Sequence, residues 1–218
     1  MNSNETQPDD VTARVHEAFH RLTDSIVGDL MLRPPATEAD LTVAEAHLGQ
    51  QLPDDVRALY LLHDGQHQYS AADPRFAAGI FTGLPLLPLH DVLFSWDQWE
   101  GFEAEEDMDD FASSTPEGFV QPKYSTRGWI PLSHDGGGNH IGVDLNPGPA
   151  GTVGQVITFG RDDDEHQVLA PSLLSYLEQV TALITSGAVT PSNDEDDPDW
   201  TLSGPQSKLF HPTGITTT

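Results

Sequence analysis

The sequence predicts an α+β protein, a mainly antiparallel sheet flanked by N-terminal helices and a C-terminal helix. Three observations carry this. Between Phe119 and Val168, short apolar runs alternate with clusters of Gly, Pro, Asn and Asp, the pattern of strands joined by tight turns. Before them, Val11, Val15, Phe19, Leu22, Ile26 and Leu30 recur at steps of three or four, the spacing of a helix with one apolar face. After them, Leu173, Leu174, Leu177, Val180 and Ile184 repeat that spacing between Pro171-Ser172 and Gly187.

Taken in order, the first helix is expected over Asp10 to Leu32, capped by Asp9 or Asp10 and stopped by Pro34-Pro35. Its His16, His20 and Asp24 stand at i, i+4 and i+8 on a mostly polar face, which reads as a solvated face rather than a metal site. Thr42-Val43-Ala44-Glu45 and Thr37-Glu38-Ala39-Asp40 are competing capping boxes for a short helix to Leu48. Pro53 suits the first turn of the next helix, which carries Val56, Leu59, Tyr60 and Leu62 and stops at Asp64-Gly65. His63 and His67 flank Gly65 and are taken as loop residues. Gly79 to Gly83 and Leu84 to Leu89 read as a strand pair or a strand and turn, with Pro85 and Pro88 confining them to a sheet edge. Asp91 caps a helix with Val92, Leu93, Trp96 and Trp99; the two tryptophans are expected in the core, with a partner-binding anchor as the alternative.

The meander begins at Trp129-Ile130-Pro131-Leu132 and turns through Ser133 to Asn139, where Gly136 to Gly138 permit positive φ. It continues through His140 to Leu145, turns at Asn146-Pro147-Gly148-Pro149, and runs from Thr152 to Phe159. An acidic turn, Asp162-Asp163-Asp164-Glu165, leads to the last strand. Ile141, Val143 and Leu145 share one face of their strand. Val153, Gln155, Ile157 and Phe159 share one face of the next, with Val156 opposite, so both sheet faces are expected to be partly covered. Trp129 is expected in the core. Asp144, beside Asn146-Pro147, is expected to accept turn N–H groups.

The 218 residues suit one core of ordinary size. The division expected is a helix and lead-in over 1–36, a domain over 37–187 with an acidic loop at 101–118, and an acidic tail over 188–218. In that tail Trp200 and Leu209-Phe210 could dock back. With 35 Asp and Glu against 9 Lys and Arg, the formal net charge is −26. Such a surface repels phosphate backbones and anionic headgroups and would attract a basic protein; on charge alone it reads as a solubility surface or a host-wide acidic bias. There is no cysteine, which excludes disulfides and thiolate chemistry. Met1 to Asp10 lacks an apolar signal core and no apolar run is long enough to span a bilayer, so a cytoplasmic protein is expected.

Ser133-His134-Asp135 suggests a triad, but neighbours on an extended segment point to opposite faces. The glycine run is followed by a strand rather than the helix a phosphate loop needs. Asp162 to Glu165 lacks the spacing and glycine of a calcium loop. No catalytic, cofactor or metal residue is therefore assigned. The acidic loop, with Glu103, Glu105, Glu106 and Asp107 around Met108 and Phe111, reads first as a solvated, mobile loop and alternatively as a docking segment; with it, the candidates for partner binding are His134 and Asp135, and Asp162, Asp163, Asp164 and Glu165.

Four stretches carry a resemblance: Pro116 to Tyr124, Gly128 to Leu132, Gly138 to Pro149 and Gly154 to Ile157. Together they resemble the SUKH superfamily, and within it the Smi/Knr type, over roughly Thr37 to Ser186. Leu52 to Gly65 is similar to that family's paired N-terminal helices, with Asp-Gly where the family usually has Asn-Gly. Trp129, Pro131, Gly138, Asp144 and Gly154 are the positions carrying the fold signature. The resemblance implies a SUKH fold and a non-enzymatic protein-binding module. Bacterial members are immunity proteins that neutralise toxins; fungal members regulate cell-wall glucan assembly and its signalling. The Ala-, Gly- and Pro-rich composition inclines the reading to an immunity protein masking a basic toxin surface. The alternative is a regulator or scaffold of wall assembly, towards which the motif detail leans.

Overall fold

The computed structural model describes residues 8–68, 73, 77–99, 102, 112–190 and 201–202. Helix α1 spans Pro8–Ser25 and buries Val15, Phe19 and Leu22. It ends earlier than its apolar spacing predicts. Gly28 takes φ +126° and Met31 φ +46°, which unwinds the chain while Ile26 stays buried and Leu32 bridges Gln66.

Of the two capping boxes, Thr37 wins: its hydroxyl accepts from Asp40 N (3.2 Å) and the Asp40 carboxylate accepts from Thr37 N (2.8 Å). Helix α2 therefore spans Glu38–Leu48 and ends at Gly49, φ +68°. Helix α3, Asp54–Leu62, begins after Pro53. Helix α4 spans Leu89–Trp99, so Asp91 lies inside its first turn rather than at its cap. The N–H of Leu89 is met instead by the Asp64 carboxylate from the end of α3 (2.9 Å).

No strand ladder forms between Gly79 and Leu89. Phe81 pairs with Leu84 around Thr82 (φ +52°), and Gly79 bridges Gly83 so closely that a Cβ would lie 2.1 Å from the Gly83 oxygen. This tight turn is held by Gln66, which is fully buried. Its amide nitrogen donates to Leu30 O (2.6 Å) and Ala78 O (2.9 Å), and its oxygen accepts from Leu86 N (3.0 Å) and Ile80 N (3.3 Å). A buried amide with all its capacity used ties three loop segments together.

The sheet has the order β1-β5-β4-β3-β2, from β1 (Ser113–Thr115), β2 (Trp129–Pro131), β3 (Asn139–Asp144), β4 (Gln155–Gly160) and β5 (Glu165–Ala170). β2 to β5 form the expected antiparallel meander, and β1 adds an unexpected parallel edge on β5. Helix α5, Leu173–Ser186, is capped by Ser172 and closed by Gly187, φ +75°. Asp55 of α3 also accepts from Leu174 N (3.0 Å).

One sheet face, with Ile130, Ile141, Val143 and Val156, joins α1 to α5 in the main core. The other carries a smaller cluster of Trp129, Ile157 and Phe159 under Val120. Both faces are thus covered, as the strand pattern predicts. Val153 departs from it: Gly154 turns at φ +87° before β4 begins, leaving Val153 64% exposed. After α5, β6 (Val189–Thr190) pairs with β7 (Thr201–Leu202). The acidic run 193–199, Trp200 and Leu209-Phe210 lie outside the described residues. Among the described residues no helix is long and apolar enough to cross a membrane.

Candidate functional site: an aromatic groove

Several parts of the chain line an open groove of about 720 Å³: Gln68 after α3, the outer face of α4 with Phe102 beyond it, Tyr124 ahead of β2, His140 of β3, and the turns that follow β2 and β4. Trp99, Phe102 and Tyr124 pack together with ring centroids 5.6 to 6.0 Å apart. Phe94 lies 65% exposed and Phe102 41% exposed on the same groove. Two large aromatics left this open on one groove make it the candidate docking site.

Trp99 is held by β3. Its indole N–H donates to His140 Nε2 (3.0 Å), and His140 Nδ1 donates to Ser133 O (2.9 Å), which fixes the imidazole tautomer. Burial pushes His140 down to about 4, so it stays neutral and keeps the lone pair that Trp99 needs. Trp96, by contrast, is a core residue: its indole donates to Arg127 O (3.0 Å), and the Arg127 guanidinium lies 4.0 Å over its ring. The tryptophan pair therefore splits between core and groove.

His134 lines the glycine-turn end of the groove, its Nδ1 accepting from Gly136 N (2.9 Å). Asp135 accepts from Gly137 N (2.7 Å), Asn139 N (3.0 Å) and Asn139 Nδ2 (2.7 Å). Burial raises its carboxyl, and those hydrogen bonds outweigh the burial and leave it below the usual range. Ser133 is buried with its hydroxyl against the Ile141 backbone, so the three neighbours do not converge on one point. Gly136 (φ +76°) and Gly138 (φ +105°) supply the left-handed turn.

Asp162 joins Asp135 through Asn139, whose Nδ2 reaches Asp162 at 3.3 Å. Asp163 does not present the surface expected of it: it is buried, 3.9 Å from His166 Nδ1. Asp164 and Glu165 are exposed, Glu165 against the Thr115 hydroxyl at the β1 edge. Glu103, Glu105, Glu106, Asp107, Met108 and Phe111 lie outside the described residues. Among the described residues no three His, Asp or Glu side chains gather to hold a metal ion, and that includes His16, His20 and Asp24.

Of the signature positions, Gly138 is on the groove lining, Trp129, Pro131 and Asp144 belong to β2 and β3, and Gly154 stands just before β4. Trp129 packs on Phe159 and His166, and Pro131 stands opposite Gly142. Asp144 accepts from Asn146 N (2.9 Å) and Gln155 Nε2 (3.0 Å), and burial lifts its carboxyl to about 6. The Gly154 N–H donates to Asp144 O (2.8 Å). The sequence reading missed Phe94, Phe102, Tyr124 and Arg161. Phe94 carried a usable signal, since it falls off the buried stripe of Val92 and Trp96 on α4.

A sequence model of the SMI1 / KNR4 family (SUKH-1) matches residues 35–179. The chain is 31% identical over 196 residues to the cell wall assembly regulator SMI1 of Saccharomyces cerevisiae, covering 76% of this chain and 38% of that protein. It is 36% identical over 173 residues to the cell wall biosynthesis/cell cycle regulator smi1 of Schizosaccharomyces pombe, covering 74% and 33%. It is 31% identical over 184 residues to a glucan synthesis regulatory protein of Neurospora crassa, covering 69% and 34%. The chain thus spans about a third of the length of these curated relatives.

Proposed function

The chain belongs to the SMI1/KNR4 (SUKH-1) family, and from that premise we propose that it is a non-catalytic regulator of cell-wall assembly that works by docking a partner protein in the Trp99 groove. The observation that carries this is the groove itself: Phe94 and Phe102 are open to solvent beside a Trp99 fixed by a buried, neutral His140. A rigid aromatic platform gives large contact area at little entropic cost, which is what an interface anchor needs. Ser133, His134 and Asp135 are each engaged with nearby backbone rather than with one another, which speaks against acyl-transfer chemistry at that turn.

Toxin neutralisation is a property of the broader superfamily. The similar proteins above bear the names of wall and glucan regulators, and the regulatory reading follows them. Deleting the gene in its own host and scoring sensitivity to glucan-digesting enzyme tests it. The expected result is a fragile wall, restored by the wild-type chain and not by Phe94→Ser. A normal wall together with death only when a neighbouring toxin is expressed would overturn it in favour of immunity.

A further inference from the structure

We propose that the Trp99 groove takes a basic, apolar peptide: one bulky apolar side chain seated between Phe94, Trp99 and Phe102, with Lys or Arg flanking it. This rests on the docking reading above and names the partner's chemistry. The argument is charge complementarity. The chain carries −26, and Asp91 lines the groove at the α4 end while Asp162 is exposed beside the turn at the other. An acidic or phosphorylated segment would meet repulsion from the whole surface, whereas a cationic one is steered in and then held by desolvated aromatic contact.

Among the described residues Arg161 is the one lysine or arginine on the lining, and none of their carboxylates pairs with it. Beside the glycine turn its guanidinium offers N–H donors to main-chain carbonyls of the bound segment, while the flanking cations lie towards Asp91 and Asp162. Arg161, set against this net charge, does not make the groove a phosphate site.

Fluorescence anisotropy on the full chain tests the proposal with a fluorescein-labelled peptide carrying Leu-Trp between two Lys-Arg pairs. Controls replace the four cations with Gln or with Glu. The expected dissociation constant is roughly micromolar to tens of micromolar, about tenfold weaker for the Gln control and not saturable for the Glu control. Raising salt weakens the cationic peptide, and Asp91→Asn flattens that dependence. Phe94→Ser, at a side chain that is mostly in solvent, keeps the circular dichroism and melting curve of the wild type and loses at least about tenfold in affinity. Equal affinity for the Lys-Arg and Gln peptides, preference for the Glu peptide, no binding of any of them, or indifference to Phe94→Ser would each overturn the proposal. A fragile wall on deletion alongside any of these outcomes would leave the regulatory reading in place and remove only this partner.

Discussion

Trp99 and His140 hold each other in one geometry, and the bond works only while the imidazole is neutral. Burial depresses His140 to about 4, so its contribution is full above the ordinary histidine value near 6.5 and is lost as pH falls towards 4. Asp144 has the opposite sign. Burial lifts it to about 6, so the fold favours its protonated form, and that contribution is present below about 4 and lost as pH rises through 6. Each effect is on the order of 3 kcal/mol, so between pH 4 and 6.5 they largely offset each other. An NMR titration separates them: the His140 ring carbons should hold neutral-form shifts to about pH 5, and the Asp144 carboxyl carbon should titrate near 6. Midpoints near 6.5 and 4 would mean that both side chains are solvated, and the account of Trp99 would fail with them.

At the scale of elements, α4 decides the groove because it carries Phe94 and Trp99, and its N-terminus is met by Asp64 from the loop that follows α3. Asp64→Ala leaves the Leu89 N–H without that acceptor, for a loss of about 1 to 2 kcal/mol and a changed tryptophan emission, with Asp64→Asn recovering much of both. Thr37→Ala, which removes the box on α2, should cost about 1 kcal/mol without altering that emission. Thermal melts with a fluorescence readout distinguish the two; identical behaviour of both variants would refute the role given to Asp64. The same contrast explains what the sequence made legible. Thr37 with Asp40, and Ser172 with Gly187, act within their own helices, so α2 and α5 could be read from neighbouring residues. Asp64 acts 25 residues away, and Gln66 bonds to backbone as far as 36 residues away, which no local pattern reveals. β1 is Ser-Ser-Thr, with no alternation to read, and exists because β5 offers it an edge. The groove was partly visible as Trp99 on a helix face. Its other walls, Tyr124 and Arg161, come from separate loops that only the fold brings together.

For the whole molecule, a formal charge of −26 sets self-repulsion against a continuous core under α1 to α5. Among the described residues several of the attractive pairs are exposed, such as Arg14 with Glu178 at 3.9 Å and Arg21 with Glu17, and exposed pairs of that kind contribute little. Screening should therefore relieve more repulsion than it removes attraction. Raising sodium chloride from about 0.02 to about 0.5 M shortens the screening length from roughly 20 to roughly 4 Å and should raise the midpoint of thermal unfolding by several degrees at neutral pH. A calorimetric midpoint that falls with salt would mean that ion pairs, rather than the core, dominate stability. The direction also bears on the groove, because the same salt should weaken a basic peptide while it stabilises the protein that binds it. Loss of binding at high salt then cannot come from unfolding, and the two charge effects, one within the chain and one towards its partner, are read separately from a single titration.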